Sequence, residues 1–246
     1  MVFCIQVAFH FILFYFIFLF LFFFPFSCWG ALAEDSVCFS LAPANFPNIF
    51  FNLMAKQRVL IIGHSFVHRL KAFVQKKRHM QAFSSLRGMA DIYFHGVGGR
   101  TIAKFRKFDF NVVRQLVPDV IILELGSNDL VELSPQTVGS ELESLVRELY
   151  EIDSVQFVVV GQVLRRHTPN SVEYNCKVGK LHQYLKVVLE PLPFCYYWRH
   201  RGFWKSKSEL FLPDGVHLNN LGNYKFMRSI RGAVLQALKL VGASIV

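Results

Sequence analysis

The sequence predicts an α/β fold in which a parallel sheet of five strands carries helices on both faces. Five short apolar runs, rich in β-branched and aromatic residues, suit strands that are buried on both sides. They occupy residues 58–62, 92–94, 120–125, 155–160 and 194–198. Helical patterns separate these runs, and strands that alternate with helices are typical of a parallel sheet with crossover connections.

The helices are predicted from apolar residues at helical spacing. One helix follows Ser65, and a second covers residues 101–116 as a single element. Ser134 and Pro135 have the residue types of an N-cap and a first helical position, so a third helix should begin there. The last two helices are predicted at residues 174–189 and 220–241.

The N-terminal segment differs from the rest of the chain. Residues 1–33 contain no Asp, Glu, Lys or Arg, and 11 of the first 30 residues are Phe. Residues 11–29 are apolar enough to span a bilayer, which suggests a membrane contact through this segment. Ala31-Leu32-Ala33 suits a signal peptidase, so cleavage is expected before Glu34 and the protein should be secreted or, if uncleaved, anchored.

No Lys or Arg precedes the apolar run, which leaves a second interpretation open. Met54 stands just before the first strand and could be the true start of an intracellular protein. Residues 34–55 contain Pro and Asn and are interpreted as a linker, and residues 56–246 as one domain. Five cysteines in 246 residues, of which 53% are hydrophobic, exclude a disulfide-dense scaffold and a disordered chain.

Candidate functional residues follow the strands. Ligands bind beyond the carboxyl ends of the strands in such a sheet, so the loops there are where chemistry is expected. Four of these loops contain the parts of an acyl-transfer site. The sequences are Gly63-His64-Ser65, a glycine-rich loop at residues 96–101, Gly126-Ser127-Asn128-Asp129, and Asp214-Gly215-Val216-His217.

Each residue type has a chemical reason to be in such a site. The Ser65 hydroxyl is a weak nucleophile until a base removes its proton, and His217 can do so near neutral pH. Asp214 can accept a hydrogen bond from one ring nitrogen of His217 and so fix its tautomer. The backbone N–H of Ser65, a glycine N–H of the second loop and the side-chain amide of Asn128 can stabilise the oxyanion.

These four blocks, in this order, resemble the SGNH hydrolase superfamily, which is also called the GDSL-like esterases and lipases. Ser65, Asn128, Asp214 and His217 match the family's blocks, and Gly99 fits the block II glycine better than Gly98. The resemblance implies a flavodoxin-like three-layer α/β/α sandwich and a metal-independent serine esterase without a cofactor. The first block is most similar to SGNH domains that animal mobile elements carry.

One position departs from the family pattern. His64 stands where the family usually has an aspartate before the serine, which puts the rate and pH dependence in doubt more than the reaction type. His64 and His68 are spaced like two metal ligands on one helix, but no third ligand is evident and zinc is disfavoured. The predicted substrate is a small acyl ester, for example an acetyl ester.

The basic residues suggest a second class of function. Residues 56–114 contain 13 Lys and Arg but only 2 Asp and Glu, so this segment could bind nucleic acid or another polyanion. The alternative function is therefore an SGNH-fold binding module with little or no turnover. Arg165 and Arg166 follow the fourth strand and could bind an anionic part of a substrate.

Overall fold

The central sheet consists of five parallel strands in the order β2-β1-β3-β4-β5. The computed structural model describes residues 56–76, 83, 86, 88–203 and 208–244, and all of them belong to one unit that spans residues 49–246. The strands are β1 (Gln57–Gly63), β2 (Ala90–Gly96), β3 (Val120–Glu124), β4 (Phe157–Gly161) and β5 (Cys195–Trp198). This confirms the predicted five-stranded parallel sheet, and the order is the flavodoxin-like one.

Six helices connect and cover the strands in the described part of the chain. They are α1 (Ser65–Lys76), α2 (Ile102–Phe108), α3 (Phe110–Leu116), α4 (Pro135–Tyr150), α5 (Val172–Leu189) and α6 (Asn220–Ser244). The predicted start of α4 is confirmed, because Ser134 Oγ accepts a hydrogen bond from Thr137 N at 3.1 Å and Pro135 is the first helical residue.

The single helix predicted over residues 101–116 is wrong, since the structure divides it into α2 and α3 at Asp109. The Asp109 carboxylate is buried and lies 2.8 Å from Arg100 Nε and 3.0 Å from His95 Nε2. Both partners come from β2 and the loop after it. Contacts from outside the helix therefore hold Asp109, and the local apolar spacing contains no sign of them.

Alternate residues of each strand pack on opposite faces of the sheet, as a period of two requires. In β1, Val59 and Ile61 pack with α1 and α6, whereas Leu60 and Ile62 pack with α2 to α5. Helices thus cover both faces, and the predicted three-layer sandwich is confirmed. Each fully buried aliphatic side chain of this kind stabilises the fold by about 1.5–3 kcal/mol.

A buried polar network joins β3 to the segment after β5 and to α6. His200 Nε2 lies 3.3 Å from the Glu124 carboxylate, and His200 Nδ1 lies 3.0 Å from Ser229 Oγ. Ser229 Oγ also accepts a hydrogen bond from Trp198 Nε1 at 3.0 Å. A Cβ at Gly161 would lie 2.0 Å from the Glu124 carboxylate, so only glycine leaves room for this network.

The register brings the ends of the strands to one edge. Gly63 pairs with both Gly96 and Glu124, and Gly161 pairs with Trp198. β1 has β2 on one side and β3 on the other, so the chain reverses its direction of progress at β1. Ligands bind at such a switch point. The loops after β1, β2 and β3 therefore meet where a site is expected.

The N-terminal segment 1–33 and the linker 34–55 lie outside the described residues, and so do the membrane contact and the cleavage site predicted there. None of the helices in the described residues is both long and apolar enough to cross a bilayer.

Candidate active site

The loop after β1 places Ser65 at the N-terminus of α1. A Cβ at Gly63 would lie 2.0 Å from the backbone oxygen of Glu124, so the close approach of β1 and β3 requires glycine here. The backbone N–H of His64 donates to the same Glu124 oxygen at 3.1 Å. Ser65 is the first residue of α1, where backbone N–H groups of the first turn are free to bind an anion.

His64 is buried and neutral. Burial, together with the positive charge of Arg166 and with His217, lowers the pKa of the His64 imidazole to about 4. Its Nδ1 accepts a hydrogen bond from the backbone N–H of Phe66 at 3.4 Å. A neutral imidazole thus caps the first turn of α1, at the position where the family that the sequence resembles has an aspartate. The Ser65 hydroxyl is therefore not needed as a cap.

Asp214 and His217 form a hydrogen-bonded pair. His217 Nδ1 lies 2.8 Å from Asp214 Oδ2, while Asp214 Oδ1 accepts hydrogen bonds from the backbone N–H groups of Val216 and His217, both at 2.9 Å. Slight burial acts to raise the pKa of the Asp214 carboxyl, but the hydrogen bonds from His217 and Val216 outweigh it and lower the pKa to about 2. An ionised Asp214 leaves His217 Nε2 as the ring nitrogen that can accept a proton.

The loop that carries this pair packs against the loop after β4. Gly215 has a φ of +64°, and a Cβ there would lie 2.6 Å from the backbone of His167. The backbone N–H of His167 donates to Gly215 O at 2.7 Å, and that of Leu212 donates to His217 O at the same distance. Only glycine fits this turn, which fixes the spacing between the carboxylate and the imidazole.

The structure brings His217 near the start of α1 without joining it to Ser65. The rings of Phe66 and His217 have their centroids 6.4 Å apart. Among the described residues, no hydrogen bond links the Ser65 hydroxyl to His217. Catalytic hydrogen bonds of unliganded enzymes are often long and tighten only when substrate binds, so this geometry is compatible with a serine–histidine pair.

Asn128 lies in the loop after β3 and contacts the loop after β2. Its side-chain amide donates one hydrogen bond to Arg100 O at 2.9 Å, and its second N–H is available for a ligand. The neighbouring Asp129 is buried, and its Oδ1 accepts from the backbone N–H of Ile102 at 2.9 Å. These two bonds hold the loop that contains Gly99 against the loop that contains Asn128.

Gly99 itself is exposed and has a φ of +65°, a conformation that side chains rarely allow. No such requirement applies to Gly98, which has open space around it and no positive φ. The backbone therefore has a reason for glycine at Gly99 and none at Gly98, and the assignment of Gly99 as the block II glycine stays a prediction.

Arg166 and Arg165 point to different parts of the molecule. The Arg166 guanidinium stacks on the Tyr174 ring at 4.1 Å and donates to Ser127 O at 3.2 Å. Asn175 holds the Arg166 backbone by two hydrogen bonds of 2.9 and 2.8 Å. Arg166 thus lies beside the Asn128 loop, whereas Arg165 lines a separate cleft with residues of α5.

Two residues that contribute to the site were missed in the sequence. Asp129 was visible within the Gly-Ser-Asn-Asp block, but its bond to Ile102 N depends on the fold. Tyr174, whose hydroxyl donates to Ser127 O at 3.3 Å, had no motif to mark it. Within the described residues, no three His, Cys, Asp or Glu side chains lie close enough together to hold a metal ion.

Carboxylates pair with part of the charge of the basic segment 56–114. Arg106 pairs with Glu141 and Glu148 of α4, Arg100 pairs with Asp109, and Lys56 lies 3.8 Å from Asp91. Carboxylates thus pair with three cations of this segment, and the structure gives no support for a nucleic-acid surface in the described part of it.

No family model matches the chain, and no curated protein has significant similarity to it. Solved structures do match. A protein of Bacteroides fragilis NCTC 9343 described as a "putative acylhydrolase" has 20% identity and a TM-score of 0.60, over 78% of this chain and 95% of that chain. A GDSL-like lipase of Bacteroides thetaiotaomicron VPI-5482 has 17% identity and a TM-score of 0.55, over 77% and 96%.

An acetylxylan esterase of Geobacillus stearothermophilus also matches, with 13% identity and a TM-score of 0.55 over 77% of this chain and 96% of that chain. None of these three matches bears on the resemblance to mobile-element domains, which stays a prediction. The matches span nearly the whole length of each neighbour. The described chain therefore has the α/β fold of these GDSL-like and esterase structures.

Proposed function

We propose that this protein is a serine hydrolase that cleaves small acyl groups, such as acetyl, from oxygen esters. The observation that carries the proposal is the Asp214–His217 pair, in which a carboxylate fixed by two backbone N–H groups holds the imidazole at 2.8 Å. The fold of the esterase neighbours is consistent with this chemistry. No metal or cofactor is needed for it.

In the proposed reaction, His217 Nε2 accepts the proton of the Ser65 hydroxyl while Ser65 Oγ attacks the ester carbonyl carbon. The negative charge that forms on the carbonyl oxygen is stabilised by the backbone N–H groups of Ser65 and Gly99 and by the free N–H of Asn128. Protonated His217 then gives its proton to the leaving alcohol. A water molecule, deprotonated by His217, hydrolyses the acyl-Ser65 intermediate and releases the acid.

Of the two arginines after β4, only Arg166 is proposed to contact the substrate. Arg166 is held on Tyr174 beside the Asn128 loop, which places it to meet an anionic or polar part of the substrate. Arg165 was proposed for the same role, but it lines another cleft and is assigned no contact with the substrate.

The test is covalent labelling of the full-length chain with a fluorophosphonate, followed by peptide mapping. Ser65 should be the labelled residue, and Ser65→Ala should reduce hydrolysis of p-nitrophenyl acetate to background. Ser140→Ala is the matched control, because Ser140 caps nothing in the site and only donates to Thr137 O on the exposed side of α4. Labelling of another serine, or full activity of Ser65→Ala, would contradict the proposal.

A further inference from the structure

Three adjoining clefts form a groove beside the edge strand β5. Their volumes are about 660, 530 and 500 Å³. The first shares Trp198 and Arg201 with the second, and it shares Lys186 and Arg199 with the third. They are therefore parts of one continuous surface, called the β5 groove below, and the residues that line it do not include Ser65, Asp214 or His217.

The β5 groove is strongly basic. Seven of its lining residues are cationic: Arg165 after β4, Lys180 and Lys186 of α5, Arg199 and Arg201 after β5, and Lys225 and Arg228 of α6. In the described chain, Glu190 is the one carboxylate that lines it. The whole of α6 contains no Asp or Glu, so this helix cannot neutralise its own cations.

Three of these cations have no counter-charge in the part of the chain that the structure describes. Among the described residues, no carboxylate forms an ion pair with Arg201, Lys225 or Arg228. Arg106, in contrast, is held by two glutamates of α4. Like charges that lie together without counter-charges raise the local potential and attract a polyanion.

Aromatic rings accompany the cations. Tyr196 is 42% exposed on β5, and its ring centroid lies 6.2 Å from that of Trp198. The Trp198 indole is held in place by its hydrogen bond to Ser229. Tyr224 does not line the groove, but it is 36% exposed and its ring centroid lies 5.9 Å from the guanidinium of Arg228, which does. Flat rings between cations are the surface on which unpaired bases stack.

We propose that the β5 groove binds single-stranded nucleic acid, with its lysines and arginines on the phosphates and Tyr196 and Trp198 stacked against bases. The exposed ring of Tyr196, with the half-buried ring of Trp198 beside it, favours a single strand, because a duplex hides its base faces and a sulfated polysaccharide has none. The groove lies on a different part of the surface from Ser65, so the binding of nucleic acid does not depend on the proposed ester hydrolysis.

The first test measures fluorescence anisotropy of a labelled mixed-sequence strand of about 16 nucleotides, the upper range for one binding module. The full-length chain should bind it, and the affinity should fall steeply with salt. The triple variant Arg201→Gln/Lys225→Gln/Arg228→Gln should lower the affinity roughly 100-fold at 0.1 M salt and flatten the salt slope by about 2, since each single-strand phosphate contact contributes about 0.7 to that slope.

The matched control removes the same charge elsewhere, with Lys71→Gln/Lys104→Gln/Lys107→Gln, and should bind like the parent chain. Ser65→Ala should also bind normally, which separates this proposal from the esterase proposal. Equal losses in the two triple variants would overturn the assignment, because the effect would then come from net charge alone. No binding by the parent chain would overturn it as well.

The second test separates nucleic acid from other polyanions. Tyr196→Ala should weaken binding about 5- to 150-fold, the equivalent of 1–3 kcal/mol of stacking per base, and leave the salt slope unchanged. A duplex of the same length should bind more weakly than the single strand. If Tyr196→Ala has no effect and heparin fragments compete as well as the strand does, the groove is a general polyanion surface and the proposal is wrong.

Discussion

Replacing Asp214 by Asn tests the proposed triad most directly. Oδ1 of Asp214 accepts two backbone hydrogen bonds, from Val216 and His217, and Oδ2 faces His217 Nδ1. An asparagine at this position keeps its oxygen toward the two backbone donors and turns its NH₂ group toward Nδ1. His217 must then accept at Nδ1 and carry its proton on Nε2, where it cannot take the proton of Ser65.

The expected loss in kcat for Asp214→Asn is about 10⁴-fold, which is the loss typical of a triad carboxylate replaced by its amide. This corresponds to about 5 kcal/mol of transition-state stabilisation. KM should change little, because Asp214 is proposed to act through His217 and not on the substrate. The melting temperature should also change little, since Asn keeps both backbone hydrogen bonds and the side chain is 45% exposed.

The assay is steady-state hydrolysis of p-nitrophenyl acetate by the full-length chain, with circular dichroism melting on the same samples. Asp153→Asn removes one exposed carboxylate after α4 and is the matched control. If Asp214→Asn retains more than a tenth of the parent kcat, then Asp214 does not fix the tautomer of a catalytic His217. A large loss that coincides with a lower melting temperature would show that Asp214 supports the fold instead.

Four further predictions follow from the site and its surroundings. Asn128→Ala should lower kcat by about 10²–10³, the usual loss for one oxyanion donor, and an unchanged kcat would exclude it from that role. Gly63→Ala should destabilise the fold by about 1–3 kcal/mol or more in urea unfolding, because its Cβ would lie 2.0 Å from a carbonyl of β3. The control Gly179→Ala on α5 should stabilise the fold slightly, because its Cβ would lie in open space. The pKa of His64 is about 4 in the folded protein, below its unfolded value. The stabilisation that neutral His64 gives to the fold is therefore complete above pH 6.5 and is lost as the pH falls toward 4. Urea unfolding of His64→Gln should show a shallower decline over that range, and identical declines would contradict this. Secretory expression should give a product that begins at Glu34, and an intact N-terminus would contradict the predicted cleavage.

Much of the fold could be predicted because its signals are local. Each strand contains a short apolar run, and the residues of β3 and β4 are buried throughout, as central strands of a sheet covered on both faces require. The cap at Ser134 could also be predicted, since an N-cap depends on the residues that follow it directly. The pairing of Asp214 with His217 was predictable for the same reason, as they stand three residues apart on one turn.

What could not be predicted depends on contacts between distant segments. The helix between residues 101 and 116 is broken at Asp109, whose partners lie in β2 and in the loop after it. The helical spacing of apolar residues contains no sign of these contacts and therefore predicts one unbroken helix. Arg166 stacks on Tyr174, whereas Arg165 lines another cleft, and nothing in the sequence distinguishes these two neighbouring residues. The Asp129 carboxylate bonds to Ile102, 27 residues away, and links two loops that the motifs treat as independent.

The distribution of charge on the surface also depends on contacts between distant segments, and this distribution determines where a polyanion can bind. The excess of 13 basic over 2 acidic residues in segment 56–114 is partly cancelled across the fold, because α4 supplies Glu141 and Glu148 to Arg106. Lys186 of α5 and Arg228 of α6 are far apart in the sequence, yet they line the same groove at β5. A charge count along the chain therefore does not locate this groove, whereas the folded surface shows cations and aromatic rings together there. Since that groove does not include the Ser65 loop, the loss of one function should leave the other intact, and measuring both on Ser65→Ala and on the β5 triple variant tests this separation directly.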